Sequence, residues 1–195
     1  MKSVKTKKPN ENLRLKRMAD LVRGRDKVLD IGSADKPNQF LNNQVVIGLD
    51  LEQHSTPKNY TDRIVGDATI LPQPFGAASF DAITAGEIIE HLVNPMDFLR
   101  CCKKTLAPDG ILVLSTPNPN SPIERLLTVN LSRRYFYTEE HIMLFPQRWL
   151  IRMLERSGFS DVRLSSGGFP IPALGLIPFP RPWCYQTIAI GINRK

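Results

Sequence analysis

A chain of 195 residues has the size of one ordinary domain and can bury a full core, so no second domain is needed. Its formal charge of +7 favours anionic partners in general, yet Lys2, Lys5, Lys7 and Lys8 concentrate much of it in residues 1–10, which read as a disordered basic tail ahead of a single domain over 11–195. Adjacent Cys101 and Cys102 and a distant Cys184 exclude a disulfide framework and suit a reducing cytoplasm, while the polar run after the lysines argues against a signal peptide.

In chain order, Leu13, Met18, Leu21 and Val22 recur at near-helical spacing and predict a helix over Asn12–Arg23, with Gly24 as its stop. Continuous apolar runs of the kind found in buried parallel strands follow at Lys27–Ile31, Val45–Leu49, Arg63–Val65 and Phe80–Ala85. A helix over Pro95–Leu106 buries Phe98, Leu99, Cys102 and Leu106, and Pro108-Asp109-Gly110 then turns the chain into a strand at Ile111–Ser115. The alternation of strand and crossover predicts an α/β fold. Residues 117–140 form a long connection with Pro117, Pro119 and Pro122, read as a lid. Pro146 opens a helix with Trp149, Leu150, Met153 and Leu154 on one face, closed by Gly158. Val162–Leu164 and Gln186–Ile192 are the last strands. Between them, residues 167–183 form an apolar loop that is too short and too rich in proline to cross a membrane.

The strand ends carry the chemistry. Asp30 and Gly32 end the first strand, Asp50 ends the second, Asp67 follows the third, and Phe80-Asp81-Ala82-Ile83 leads to Thr84. The carboxyl ends of a parallel sheet are where a nucleotide-like ligand binds, and an acid at Asp50 can take both hydroxyls of a free ribose. Either Asp30 or Asp50 alone could equally be a turn residue. A dinucleotide fingerprint would need a third glycine where Pro37 stands.

Together with Glu90-His91-Leu92, Pro108-Asp109-Gly110 and Ser157-Gly158-Phe159, this order resembles the class I S-adenosylmethionine-dependent methyltransferases over about Lys27–Phe159. The resemblance implies a Rossmann-like, doubly wound, three-layer sandwich around a seven-stranded sheet, mostly parallel with a reversed last strand. It also implies methyl transfer from the sulfonium of S-adenosylmethionine. By the same resemblance, Asp30, Gly32 and the backbone of Ser33 and Ala34 lie against the methionine part of the cofactor. Asp50 holds the ribose with Leu51 beside the adenine, Asp67 accepts from the adenine amino group with Ala68 against the ring, and Thr84, Ala85 and Gly86 line the sulfonium end. Where the family has further glycines, this chain has Ser33, Ala34, Asp35, Lys36 and Pro37, and Pro37 suggests a clipped crossover helix.

An oxygen nucleophile needs a base or a metal as well as alignment. Glu87, Glu90 and His91 stand at i, i+3 and i+4, the spacing of one helix face, and His141 follows the lid. This set looks like the Glu-x-x-Glu-His plus distant His of small-RNA 2'-O-methyltransferases, and its first part also appears in ubiquinone-pathway O-methyltransferases. A divalent metal on Glu87, Glu90, His91 and His141 would lower the acceptor's pKa, and without one His91 or His141 could act as general base. His54 reads as solvated. Cys102 lies on a buried face and reads as packing, away from thiolate chemistry.

The acceptor is read as a small molecule, most simply a sugar or lipid-linked glycan hydroxyl. Arg133-Arg134 beside Tyr135 could bind phosphate and stack a base, so an RNA ribose 2'-O-methyltransferase is the alternative enzyme, and a non-catalytic partner subunit of the same fold is the non-enzyme reading. Residues 169–183, with Arg181 and the Lys-rich tail, could form an acceptor pocket or touch a membrane surface, or simply cover the sheet edge.

Overall fold

The protein is described by a computed structural model over residues 11–34, 36–129, 141–171 and 175–194. The Lys-rich segment 1–10, Asp35 and the Arg133–Tyr137 part of the expected lid lie outside the described residues. The elements run α1 (Asn12–Leu21), β1 (Lys27–Ile31), β2 (Val45–Asp50), β3 (Asp62–Val65), β4 (Phe80–Gly86), α2 (Pro95–Thr105) and β5 (Leu106–Pro117), then α3 (Pro122–Val129), α4 (Gln147–Arg156), β6 (Ser160–Ser166), β7 (Phe169–Ile171), β8 (Gly175–Ile177) and β9 (Gln186–Ile192). Local chemistry accounts for their ends. Asn94 caps α2 by accepting from the Asp97 N–H, Pro95 opens it, and Lys103 and Lys104 sit in its last turn against the negative end of the helix dipole. Gly158, at φ +92°, ends the turn after α4.

Seven strands form one sheet in the order β3-β2-β1-β4-β5-β9-β6. β9 runs antiparallel to both β5 and β6, and the remaining pairings are parallel. The last strand of the chain is therefore the reversed one, as the resemblance implies. α2 and α4 cover one face around Phe98, Leu99, Leu150 and Leu154, and α1 covers the other through Met18 and Val22, giving three layers. Strand order reverses between β1 and β4, which opens a crevice at their carboxyl ends.

Three details differ from the sequence reading. β5 starts at Leu106 because the Pro108-Asp109-Gly110 turn is absorbed as a bulge, Phe80 facing Leu106 while Ala82 faces Ile111. The 169–183 stretch contains a small hairpin, β7 with β8. No helix forms over 36–44; Leu41 and Tyr60 fill that part of the α1 face instead. Among the described residues no helix is long and apolar enough to cross a membrane.

Candidate active site

The crevice is organised around Asp30. Its carboxylate is buried, accepting from the Tyr60 hydroxyl on one oxygen and from Thr84 Oγ1 on the other at 2.5 Å, while Tyr60 Oη accepts from the Asn38 N–H at 2.8 Å. Burial pushes the Asp30 carboxyl up, and these hydrogen bonds pull the other way. Asp30 and Thr84 are thus committed to each other, and they shape the loop from beneath.

Gly32 follows at φ +76°, where a Cβ would come within 2.2 Å of Ile88 Cδ1. Only glycine meets both demands without strain. Its N–H donates to the Leu49 carbonyl at 2.9 Å, and the Ala34 N–H donates to Asp50 Oδ2 at 2.7 Å. Arg63, which nothing in the sequence pattern singled out, clamps the same loop by donating to the carbonyls of Ser33 and Ala34. The loop therefore keeps a fixed shape without the usual glycines. The buried Ser33 Oγ has no hydrogen-bond partner among the described residues.

These residues fit S-adenosylmethionine. Asp50 is half-buried; beyond Ala34 it accepts from the Glu52 N–H at 3.2 Å, which leaves carboxylate lone pairs for hydroxyls. Leu51 beside it is 70% exposed and Ile70, two residues past Ala68, is 57% exposed, apolar surface that an adenine ring would cover. Asp67 accepts from the Thr69 N–H at 2.7 Å and so holds the Ala68 turn. Ala85 is buried, and Gly86 admits a guanidinium: a Cβ there would lie 2.5 Å from Arg14 Nη1.

Arg14 and Glu11 are the main site residues that sequence reasoning missed. Arg14 is buried, donates to Ser115 Oγ at 2.8 Å and pairs with Glu11, which Lys36 also meets at 2.6 Å. Ser115 in turn donates to Glu87 Oε1 at 3.0 Å. A charged residue at a core position of α1 was the available signal, since burial of an arginine demands partners.

Glu87 does not share a helix face with Glu90 and His91. It takes φ +58° just past β4, and the helical segment that follows is a single 3-10 turn, Ile89–His91. The left-handed residue breaks the i, i+3, i+4 relation and aims Glu87 at Arg14 and Ser115. Glu90, His91 and His141 do converge, with potential ligand atoms within 4.8 Å of one another. The two imidazoles stand edge to face at 4.6 Å. The Ile142 N–H donates to the Glu90 carbonyl at 3.0 Å, which fixes the segment after His141 to the site. Burial, then the charge of Glu87, hold the Glu90 carboxyl well above the usual range, and burial with His91 pushes His141 down to about 4. At neutral pH a neutral imidazole therefore faces Glu90 Oε1 at 3.8 Å, and that oxygen has no hydrogen-bond partner among the described residues. Glu90 Oε2 accepts from Thr116 Oγ1 at 3.1 Å. His54, by contrast, meets Glu52 on an exposed loop. Cys102 is buried, with its thiol pushed up by burial.

A loop-bound acid at the end of β2, a crevice at the sheet's switch point and one reversed strand define the class I S-adenosylmethionine-dependent methyltransferase fold. A solved SAM-dependent methyltransferase of Thermotoga maritima superposes with a TM-score of 0.75 at 15% identity, covering 94% of this chain and 89% of the other. One from Archaeoglobus fulgidus gives 0.71 at 18% identity, with 93% and 92% covered. The chain belongs to the Methyltransferase domain family, whose model matches residues 10–164. It is similar to the ubiquinone biosynthesis O-methyltransferase of Roseobacter denitrificans, 26% identical over 114 residues, which is 55% of this chain and 41% of that protein. The chain spans less than half the length of the curated relatives it matches.

Proposed function

We propose that this chain transfers the methyl group of S-adenosylmethionine to a hydroxyl of a small molecule, a sugar or a lipid-linked glycan intermediate being the favoured acceptor. The observation that carries the reading is the convergence of Glu90, His91 and His141 beside the crevice. The similarity to O-methyltransferases supports oxygen as the nucleophile.

The chain's own residues divide the work. Asp50 would hold the ribose, Leu51 and Ala68 would flank the adenine, and Gly32 and Gly86 leave room for Ile88 and Arg14 beside them. Neutral His141, or His91, would accept the hydroxyl proton as the methyl is displaced in line. Glu90, His91 and His141 would also be the ligands of a divalent ion, which when bound would lower the acceptor's pKa; imidazole nitrogen with carboxylate suits manganese, iron or zinc better than magnesium.

The same three residues and the charge of +7 also favour a metal-dependent RNA ribose 2'-O-methyltransferase as the second reading. Isothermal titration with S-adenosylmethionine and S-adenosylhomocysteine tests the cofactor, and methyl transfer from labelled cofactor to a panel of glycosides tests the acceptor. Stoichiometric cofactor binding with transfer to a glycoside hydroxyl supports the first reading; transfer to oligoribonucleotide alone, with affinity falling steeply in salt, replaces it with the second. A folded chain that binds neither compound would be a partner subunit.

A further inference from the structure

The outward face of α4 and the short turn Arg181–Trp183 carry a surface that the methyl-transfer chemistry leaves unused. At about 100° per residue, Arg148, Arg152 and Arg156 run down the middle of the exposed side of α4 with Trp149 beside them. Glu155, the acid on this helix, falls on the flank away from Trp149. Arg148, Trp149 and Arg152 line a cleft of about 130 Å³, and the Arg152 guanidinium lies 5.4 Å from the indole centre. Gln147 fastens the neighbouring turn to the helix by donating to the Arg181 carbonyl at 2.9 Å. Arg148, Arg152 and Arg181 are exposed, and among the described residues none of them is in an ion pair.

The apolar side chains here are as unusual as the charges. Trp149 is 59% exposed and Trp183 56% exposed, and Ile142, Met143 and Leu144 leave a further apolar strip open to solvent. That strip starts at the candidate active site, because the Ile142 and Met143 N–H groups both donate to the Glu90 carbonyl. Buried Phe145 then anchors the segment.

We propose that this face docks on an anionic lipid surface, with a lipid phosphate between Arg148 and Arg152 and with Trp149, Trp183 and the Ile142–Leu144 strip entering the headgroup boundary. Indoles flanked by guanidinium groups and aliphatic side chains are the composition that settles at this boundary. Two arginines on one cleft match a phosphodiester by charge and by their forked donors. Nucleic acid would use the same charges but gives Ile142, Met143 and Leu144 no apolar surface to enter. Docking in this orientation turns Glu90 and His141 toward the lipid boundary, where an amphipathic acceptor is presented. The inference stands on the surface itself, whichever hydroxyl is methylated.

The chain's two tryptophans are both exposed, so their emission is the direct probe. Full-length protein is mixed with vesicles of phosphatidylcholine alone and of equimolar phosphatidylcholine and phosphatidylglycerol. The expected result is cosedimentation and a blue shift of emission with the anionic vesicles only, in both the Trp149→Phe and Trp183→Phe variants. Arg148→Gln with Arg152→Gln should weaken partitioning about thirty-fold, with an unchanged far-ultraviolet dichroism spectrum and melting temperature showing that the variant is folded. Absence of both signals with anionic vesicles overturns the proposal. So does binding that survives the double substitution but disappears when residues 1–10 are deleted, since the lysines would then carry it. Arginine-dependent binding of an oligoribonucleotide without vesicle binding would make the face a nucleic-acid site instead.

Discussion

The Ala34 N–H donates to Asp50 Oδ2 at 2.7 Å, so the loop after β1 is fastened to the acid that ends β2. One carboxylate therefore shapes the loop and, under the proposed function, would offer its remaining lone pairs to a ribose. Arg63 secures the other side of the loop through the Ser33 and Ala34 carbonyls.

Asp50→Ala should weaken S-adenosylhomocysteine binding by about 10- to 100-fold, the range for losing hydrogen bonds to a charged group. Arg63→Gln should weaken it less, because it loosens the loop without removing a group assigned to the ribose. Calorimetric titration of both variants checks the order. Equal losses would mean that Asp50 acts through the loop alone.

Gly32→Ala should destabilise the fold by about 1 to 3 kcal/mol, since the new side chain meets Ile88 and sits at φ +76°. Ile88→Ala in the same chain removes the collision and leaves the backbone strain. The double variant should therefore lose less stability than the two single losses added together, as read by urea denaturation.

Arg14→Met should cost about 3 to 5 kcal/mol at neutral pH, because Glu11 and Glu87 lose their buried cation. Burial works against both carboxylates; Arg14 and Lys36 still hold the Glu11 carboxyl below its ordinary value while Glu87 is already pushed up, so without Arg14 both folded pKa values rise. A raised folded pKa costs stability above the unfolded value and nothing below it, so the deficit should shrink as pH falls through about 5. Arg14→Met with Glu87→Gln should recover part of the loss.

The sheet was legible because buried parallel strands leave continuous apolar runs, and Asp30, Asp50 and Asp67 fall where those runs end. The site was legible only in part. Spacing alone placed Glu87 with Glu90 and His91, but that assumes a helix, and the left-handed Glu87 backbone prevents one. Arg63 left no pattern because its partner, the Ser33 carbonyl, lies 30 residues away. For Arg14 the local mark was its place one turn before buried Met18, but its partner Ser115 lies 101 residues away. The exposed face of α4 was hidden for the opposite reason, since Trp149 has the periodicity of a core residue and yet stands in solvent.

Glu124→Gln should stabilise the protein above pH 7 and leave it unchanged near pH 4. Burial and the charge of Glu87 push the Glu124 carboxyl up to about 7. The folded state thus holds its proton more tightly than the unfolded one, and the cost of ionising it builds as pH rises between about 4.3 and 7. The gain should be on the order of 3 kcal/mol, seen as a higher urea midpoint at pH 8 but not at pH 4. Glu87→Gln should give a smaller gain by the same route, offset by the counter-charge that buried Arg14 loses.

A divalent ion on Glu90, His91 and His141 should raise the melting temperature, because binding to the folded state alone stabilises it by mass action. At a hundredfold excess over the dissociation constant the gain is about 2.7 kcal/mol, or about 5 to 10 °C for a domain of this size. Manganese and zinc should act at lower concentration than magnesium, given two imidazole donors in the set. Glu90→Gln and His141→Ala should each abolish the shift, whereas His54→Ala should not, since His54 pairs with Glu52 on an exposed loop. A shift that survives His141→Ala would place the ion elsewhere. With no shift for any ion, neutral His141 facing buried Glu90 would be left to accept the hydroxyl proton directly.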